Sequence, residues 1–370
     1  MSGDIANTQA RAGKTSVYVL VATPLGHGGR GGIDRLMDAV RDEARGGKIG
    51  PCDVRFAATR GQRSIWFSPL YLASFLLRMA WLRARGLLDV VHINLSSHGS
   101  VRRKSIVARS ARMLGVPYVV HLHGSRFQSF FDAADSGTQA SVRQLFAGAR
   151  RVIVLGSAWR TFVADRVPEA ASRIVILANA SQPLSRSLER RDGVRILFLG
   201  QVGARKGVPD LIRALARLKD VAGWRATIAG DGDVAVAREQ AQALGLSAHV
   251  TFPGWVGPEE ARALLVSSDI LVLPSFDENL PMSVIEGMSA GLAVVATPVG
   301  AVEDIVRNGE TGLLVSPGNS DELADALRRL VADERLRHAL GDAAQDFHRR
   351  NLEIGAYVAR LAKLWTEACR

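Results

Sequence analysis

Short apolar, β-branched runs alternate with amphipathic stretches along almost the whole chain, and this alternation limits the fold more than any other feature. Such a pattern is the mark of parallel α/β sheets. The first half predicts strands at 17–22, 54–57, 90–94, 118–121, 152–155 and 174–177, with helices near 33–45, 69–85, 104–114, 139–147 and 158–163. Residues 178–192, rich in Asn, Ser, Pro and charge, break the pattern and read as a linker. The pattern then restarts. Strands are expected at 195–199, 225–229, 249–252, 270–273, 293–296 and 312–315, with helices at 209–218, 234–244, 258–266, 281–290 and 320–331. A last helix near 353–368 has no strand after it. The expected architecture is α/β: two doubly wound domains, 1–188 and 189–350, with a terminal helix, 351–370, packing back toward the first. Open α/β sheets bind ligands beyond the carboxyl ends of their strands, so the site is expected in a cleft between the two.

At 370 residues the chain can bury two cores, and its 47% hydrophobic content excludes a disordered chain. Cys52 and Cys369 are too few for a disulfide framework or a thiolate zinc cluster. The net charge is +11, but it is unevenly spread. Residues 1–190 carry 27 basic and 12 acidic side chains, a net +15; residues 191–370 carry 20 and 24, a net −4. Either the first domain faces an anionic partner or the chain is simply rich in solvated arginine. No export signal is expected, because residues 1–15 are polar and lack the apolar centre of a signal peptide. The most apolar stretch, 66–82, is interrupted by Arg78 and is expected to be too short to span a bilayer. A cytoplasmic protein is expected, touching membranes only from the surface.

The first strand runs into Thr23-Pro-Leu-Gly-His-Gly-Gly-Arg-Gly-Gly32. Glycines ahead of a helix let backbone amides approach an anion. Gly26, Gly28 and Gly31 also satisfy G-x-G-x-x-G, but the second strand ends Ala57-Ala-Thr-Arg60 with no carboxylate to hold a ribose. A phosphate loop, a structural turn and a dinucleotide site all remain open. Four histidines, His92, His98, His121 and His123, fall at predicted strand ends without companion metal ligands. His121 reads as a core residue. His123, followed by Gly124-Ser125, reads as a group that bonds a substrate hydroxyl.

The second domain opens Leu199-Gly-Gln-Val-Gly-Ala-Arg205-Lys206-Gly207, two adjacent cations in a glycine-rich loop suited to a diphosphate. Further on, Pro274-Ser-Phe-Asp-Glu278-Asn-Leu-Pro281-Met-Ser-Val-Ile-Glu286 places one glutamate in a loop and a second within an apolar helix that Pro281 starts.

With its two glutamates separated by seven residues, this segment resembles the signature of retaining glycosyltransferase family 4, group 1 transferases of the GT-B fold with two Rossmann-like domains. Gly31-Gly32, His123-Gly124, Arg205-Lys206-Gly207, Ala229-Gly-Asp-Gly232, Phe252-Pro-Gly-Trp255 and the terminal helix extend the resemblance over nearly the whole chain. It implies that Gly31 and Gly32 meet the donor diphosphate and that Arg205 and Lys206 neutralise it. Glu278 would contact the transferred sugar, while the backbone of Asn279, Leu280, Pro281 and Ser283 holds sugar and phosphate. Glu286 would take the ribose, Trp255 and Val256 would flank the base, and His123 would join Lys206 and Glu278 at the reaction centre. Gln201 stands where many members carry arginine, which weakens the expectation for donor binding and activity. Asp231-Gly-Asp233 mimics the metal-binding D-x-D of the other large glycosyltransferase fold, but no metal or cofactor is expected beyond the nucleotide sugar as co-substrate.

The resemblance thus implies transfer from a nucleoside-diphosphate sugar to a saccharide or lipid-linked saccharide in cell-surface polysaccharide synthesis. Residues 66–85, with Trp66, Arg78, Arg83 and Arg85, read either as a surface for an anionic membrane or as a packed helix with snorkelling arginines. Nucleic acid is not an expected partner, because no aromatic platform accompanies the basic residues. The alternatives are an NADP-dependent oxidoreductase, which leaves Glu278 and Glu286 unexplained, and a non-catalytic glycosyltransferase-like partner subunit.

Overall fold

The structure is a computed structural model that describes residues 16–29, 31–185 and 192–370. Arg30, residues 1–15 and residues 186–191, the last within the expected linker, lie outside the described residues. The chain divides into two compact units. One holds the residues up to Leu155, Trp159–Leu177 and Ile354–Arg370; the other holds Gly156–Ala158 and Ala178–Glu353.

The first unit is built on seven strands: β1 Val17–Thr23, β2 Lys48–Ile49, β3 Cys52–Ala58, β4 Val90–Leu95, β5 Tyr118–Leu122, β6 Arg151–Val154 and β7 Ile174–Ile176. They lie in the order β2-β3-β1-β4-β5-β6-β7. Every pairing is parallel except that of the two-residue β2 with β3, too short a strand to show a period in the sequence. β4 and β5 are buried at every position, as parallel strands covered on both faces must be. His92 therefore lies inside β4 rather than at its end. The helices are α1 Gly32–Glu43, α2 Ser68–Ala84, α3 Gly99–Met113, α4 Phe127–Ala133, α5 Ser136–Ala147 and α6 Ser157–Arg166. The C-terminal helix, Ile354–Ala368, packs on α1 and on β1 to β5. Its buried stripe (Ile354, Tyr357, Val358, Leu361, Ala362, Leu364, Trp365, Ala368) recurs every three or four residues, the spacing of one helix face.

The second unit holds a parallel sheet of β8 Val194–Leu199, β9 Trp224–Ala229, β10 Val250–Gly254, β11 Ile270–Leu273, β12 Ala293–Ala296 and β13 Leu313–Leu314, ordered β10-β9-β8-β11-β12-β13. Its helices are α7 Val208–Ala216, α8 Val234–Ala243, α9 Pro258–Val266, α10 Met282–Ser289, α11 Ser320–Ala332 and α12 Glu334–Asn351. The sequence pattern does not anticipate α12. Asp333 caps it by accepting the Leu336 amide at 2.9 Å.

Strand order reverses between β1 and β4 in the first sheet and between β8 and β11 in the second. Loops leaving adjacent strands diverge at such a point, and a crevice opens there.

Candidate functional site

In the second unit the loops after β8 and β11 are laced together at the reversal. Gly207 is left-handed (φ 70°), and a Cβ there would lie 2.0 Å from the Pro274 carbonyl oxygen. Only glycine permits that approach. The Phe276 amide donates to the Arg205 carbonyl at 2.9 Å, and the Arg205 guanidinium donates to the Asp277 carbonyl at 3.0 Å. Lys206 Nζ is ion-paired with Glu278 Oε1, both side chains being largely buried. Such a charge-assisted pair holds the two groups in one geometry.

Pro281 takes the cap position before α10 rather than its first turn (φ −72°, ψ 129°). Leu280 is buried, and its carbonyl accepts the Asn179 side-chain amide at 2.9 Å. Asn279 is fixed through its carbonyl, which accepts the Ala301 amide at 2.7 Å. Along α10, Ser283, Val284, Ile285, Gly287 and Met288 are buried and Glu286 is half-buried. Gln201 is exposed on the β8 loop. Beyond β10, Trp255 is 50% exposed and Val256 is buried. The Asp231–Asp233 turn is held by its main chain: the Asp231 carbonyl accepts the Val202 amide (2.6 Å), and the Asp233 amide donates to the Val202 carbonyl (2.9 Å). Among the described residues no group of three or more His, Cys, Asp and Glu is placed to hold a metal ion.

The first unit carries the remaining candidates. Gly31 caps α1 and Gly32 begins it, so their amides sit at the positive end of the helix. Aspartates take up three other amides of this loop. Asp34, buried on α1, accepts the amides of Leu25 (3.0 Å) and Gly26 (3.2 Å), and Asp38 accepts that of Gly28 (2.8 Å). Burial pushes the Asp34 carboxyl above its ordinary range, against the pull of those two amides. An anion reaching this loop would therefore meet the amides of residues 31 and 32 rather than those of 25, 26 and 28.

Behind the loop, buried Lys104 donates to the Ala22 carbonyl (3.0 Å) and to Thr59 Oγ1 (2.8 Å). Burial pulls its pKa well below the usual lysine value. His123 follows β5, half-buried, with Nε2 2.9 Å from Asn94 Oδ1. His121 is fully buried with its ring centroid 3.9 Å from that of His123. His98, exposed after β4, has φ 55°, strained for a residue with a side chain.

The structure thus brings Arg205, Lys206 and Glu278 together in one unit and places Gly31, Gly32 and His123 in the other. Asp34, Lys104 and Asn94 escape motif reasoning. Lys104 had a signal: it shares the face of Val101, Val107, Ala108 and Ala111, all buried, where a lysine is out of place.

Two family models match the chain, one described as glycosyl transferases group 1 over residues 183–347 and one as a glycosyl transferase 4-like domain over residues 3–180. An alpha-D-kanosaminyltransferase of Streptomyces kanamyceticus is 28% identical over 278 residues, 70% of this chain and 72% of that one. Among solved structures, sucrose-phosphate synthase of Thermosynechococcus elongatus superposes with a TM-score of 0.79, at 17% identity over 95% of this chain and 98% of that one. HepE of Anabaena, solved in complex with UDP and glucose, gives 0.73 at 17% identity, over 94% and 98%.

Proposed function

The chain belongs to the group 1 glycosyltransferases and has their GT-B fold, and from that premise we propose that it is a retaining, metal-independent enzyme moving a sugar from a nucleoside diphosphate to a saccharide or lipid-linked saccharide. The observation that carries this reading is the Lys206–Glu278 ion pair, which joins the loops after β8 and β11 at the reversal of the second sheet. HepE, which shares the fold, holds the kind of ligand this reading requires, a nucleoside diphosphate with a hexose.

In this reading Glu278 accepts hydroxyls of the transferred sugar, and Arg205, Lys206 and the amides at the start of α10 face the diphosphate. Glu286 takes the ribose and Trp255 lies against the base. As the anomeric C–O bond stretches, negative charge grows on the departing phosphate. Fixed cations stabilise that charge more than they stabilise the bound donor. The acceptor hydroxyl attacks on the face the phosphate leaves, its proton passes to a phosphate oxygen, and the configuration is retained.

Thermal unfolding with UDP, GDP, ADP and the corresponding sugar nucleotides, in EDTA, tests this. One nucleoside diphosphate at 100 times its Kd is expected to stabilise the protein by about 2.7 kcal/mol. Glu286→Ala should lose most of that shift. Stabilisation by NADP alone, or dependence of turnover on a divalent ion, would overturn the reading.

The acceptor half of the proposal includes a cytoplasmic membrane face, in keeping with a role in cell-surface polysaccharide synthesis. The turn before α2 and the helix itself leave Trp66 (86%), Leu77 (72%), Leu70 (66%), Ile65 (60%) and Trp81 (51%) exposed, while Phe75, Met79 and Leu82 are buried. Arg85 lies over Trp81 at 5.1 Å and Arg63 over Phe67 at 5.8 Å. The preceding 3-10 turn lengthens the segment to Ile65–Ala84, long and apolar enough by composition to cross a bilayer, where the sequence alone read it as too short. Its buried stripe and flanking cations fit a helix lying flat on an anionic leaflet better than one crossing it. Co-flotation with phosphatidylglycerol vesicles at low salt is expected for the wild type, and loss of flotation for Trp66→Ser with Leu70→Ser. A wild type that ignores such vesicles would sink the membrane face without touching the donor assignment.

A further inference from the structure

Four side chains of the first unit form a hydrogen-bonded row that the proposed reaction does not by itself require. Trp365, fully buried on the C-terminal helix, donates its indole N–H to His92 Nδ1 at 3.0 Å. His92, inside β4, has Nε2 3.3 Å from Asn94 Oδ1, and His123 has Nε2 2.9 Å from the same oxygen. The Asn94 amide nitrogen faces the Ala22 carbonyl at 3.4 Å, an oxygen that Lys104 also bonds.

Donor and acceptor rules leave one consistent assignment. An indole nitrogen only donates, so His92 Nδ1 accepts and its proton is on Nε2. The Asn94 side chain turns its NH2 toward a carbonyl oxygen, so Oδ1 faces the two imidazoles and accepts from both. His123 must then carry a proton on Nε2, so that in the neutral ring Nδ1 is a bare lone pair. That nitrogen makes no hydrogen bond among the described residues.

We propose that Trp365, His92 and Asn94 are positioning residues that lock His123 as a neutral Nε2–H imidazole, so that its Nδ1 accepts a hydrogen bond from a substrate hydroxyl. The proposal rests on His123 lying at the reaction centre. Catalytic contact belongs to His123 alone; the other three act through it. The C-terminal helix therefore reaches the chemistry through a single indole N–H, across 273 positions of sequence.

The surroundings agree. Burial holds His123 down to about 3 and His92 to about 4, and carries His121 well below its ordinary value. The groups that face these rings are the histidines themselves, and Lys104 acts on His92; each would add positive charge on protonation, so each resists the next. A neutral imidazole with a free lone pair suits a sugar hydroxyl, whereas a protonated ring has no lone pair left to accept one.

Long-range proton–nitrogen correlation on histidine-labelled protein, with His123→Gln for assignment, reads the tautomer directly. His123 and His92 should each show one neutral Nε2–H form, unchanged between pH 8 and pH 5. In Trp365→Phe, which keeps an aromatic ring but removes the N–H, the His92 signal should become a mixture of tautomers. An Nδ1–H form of His123 in the wild type, or protonation of it above pH 5, would overturn the proposal.

Kinetics gives the second arm. Asn94→Asp places a carboxylate between the two rings and should raise the His123 pKa into the assay range. Its kcat should gain an acid limb falling about tenfold per pH unit, where wild-type kcat shows no such limb from pH 8 to 5. A variant that only loses thermal stability, with an unmoved pH profile, would assign Asn94 to structure and overturn its positioning role. If the protein proves not to transfer sugar, the tautomer measurement still stands, so failure of the function and failure of the lock are told apart.

Discussion

Lys206→Ala is expected to lower kcat by about 10²–10³-fold, the usual loss when one preorganised group facing developing charge is removed. Two effects combine. The departing phosphate loses a fixed cation, and Glu278, only 8% exposed, is left buried without its partner. Breaking a buried pair from one side costs about 3–5 kcal/mol, so the second unit should also unfold at lower temperature. The double variant Lys206→Ala with Glu278→Gln separates the two effects. It should recover much of the stability, since no charge remains stranded, and none of the turnover, since the phosphate still lacks its cation. Steady-state rates and unfolding curves on the wild type and the two variants check this. A Lys206→Ala enzyme within fivefold of wild type would remove Lys206 from the reaction centre.

Trp365→Ala should be the most destabilising single substitution in the first unit. The side chain has no exposed surface, and a truncation of that size costs about 3–5 kcal/mol. At roughly 2–4 °C per kcal/mol for a unit of this size, the unfolding midpoint should fall by about 6–20 °C. A local probe exists. Cys52 is fully buried, its thiol 3.7 Å from the Ala362 carbonyl of the same helix. Loosening that helix should expose Cys52 to a thiol reagent well before global unfolding. A midpoint within 2 °C of wild type and an unreactive Cys52 would contradict the packing described for the C-terminal helix.

What could be read from the sequence follows from where each signal is stored. The parallel strands were legible because both their faces are buried, so Ala293 to Ala296 or Ile270 to Leu273 read as unbroken apolar runs. The helix Glu334–Asn351 was not, because its buried stripe is Arg337, Leu340, Gly341, Ala344 and His348 rather than a row of large hydrophobes. Gly341 is there for space: a Cβ would lie 2.2 Å from the Gly291 carbonyl oxygen, and a glycine inside a helix hides the helical period further. The proximity of Lys206 and Glu278 was anticipated only through the family resemblance, since 72 positions separate them. The loop lacing that sets it, through Gly207 and Pro274, is backbone geometry that no residue pattern displays. The row through Trp365, His92 and Asn94 was invisible for the same reason in stronger form: an indole N–H pairing with a strand histidine leaves no periodic trace.

The division of the chain into units also has a consequence for synthesis. All of the second unit, Gly156–Ala158 and Ala178–Glu353, is made before the helix Ile354–Ala368 that completes the first. The surface of the seven-stranded sheet meant for Trp365 and Leu361 therefore stays uncovered until that helix has been made. The first unit, begun first, thus depends for its full packing on a segment made after the second.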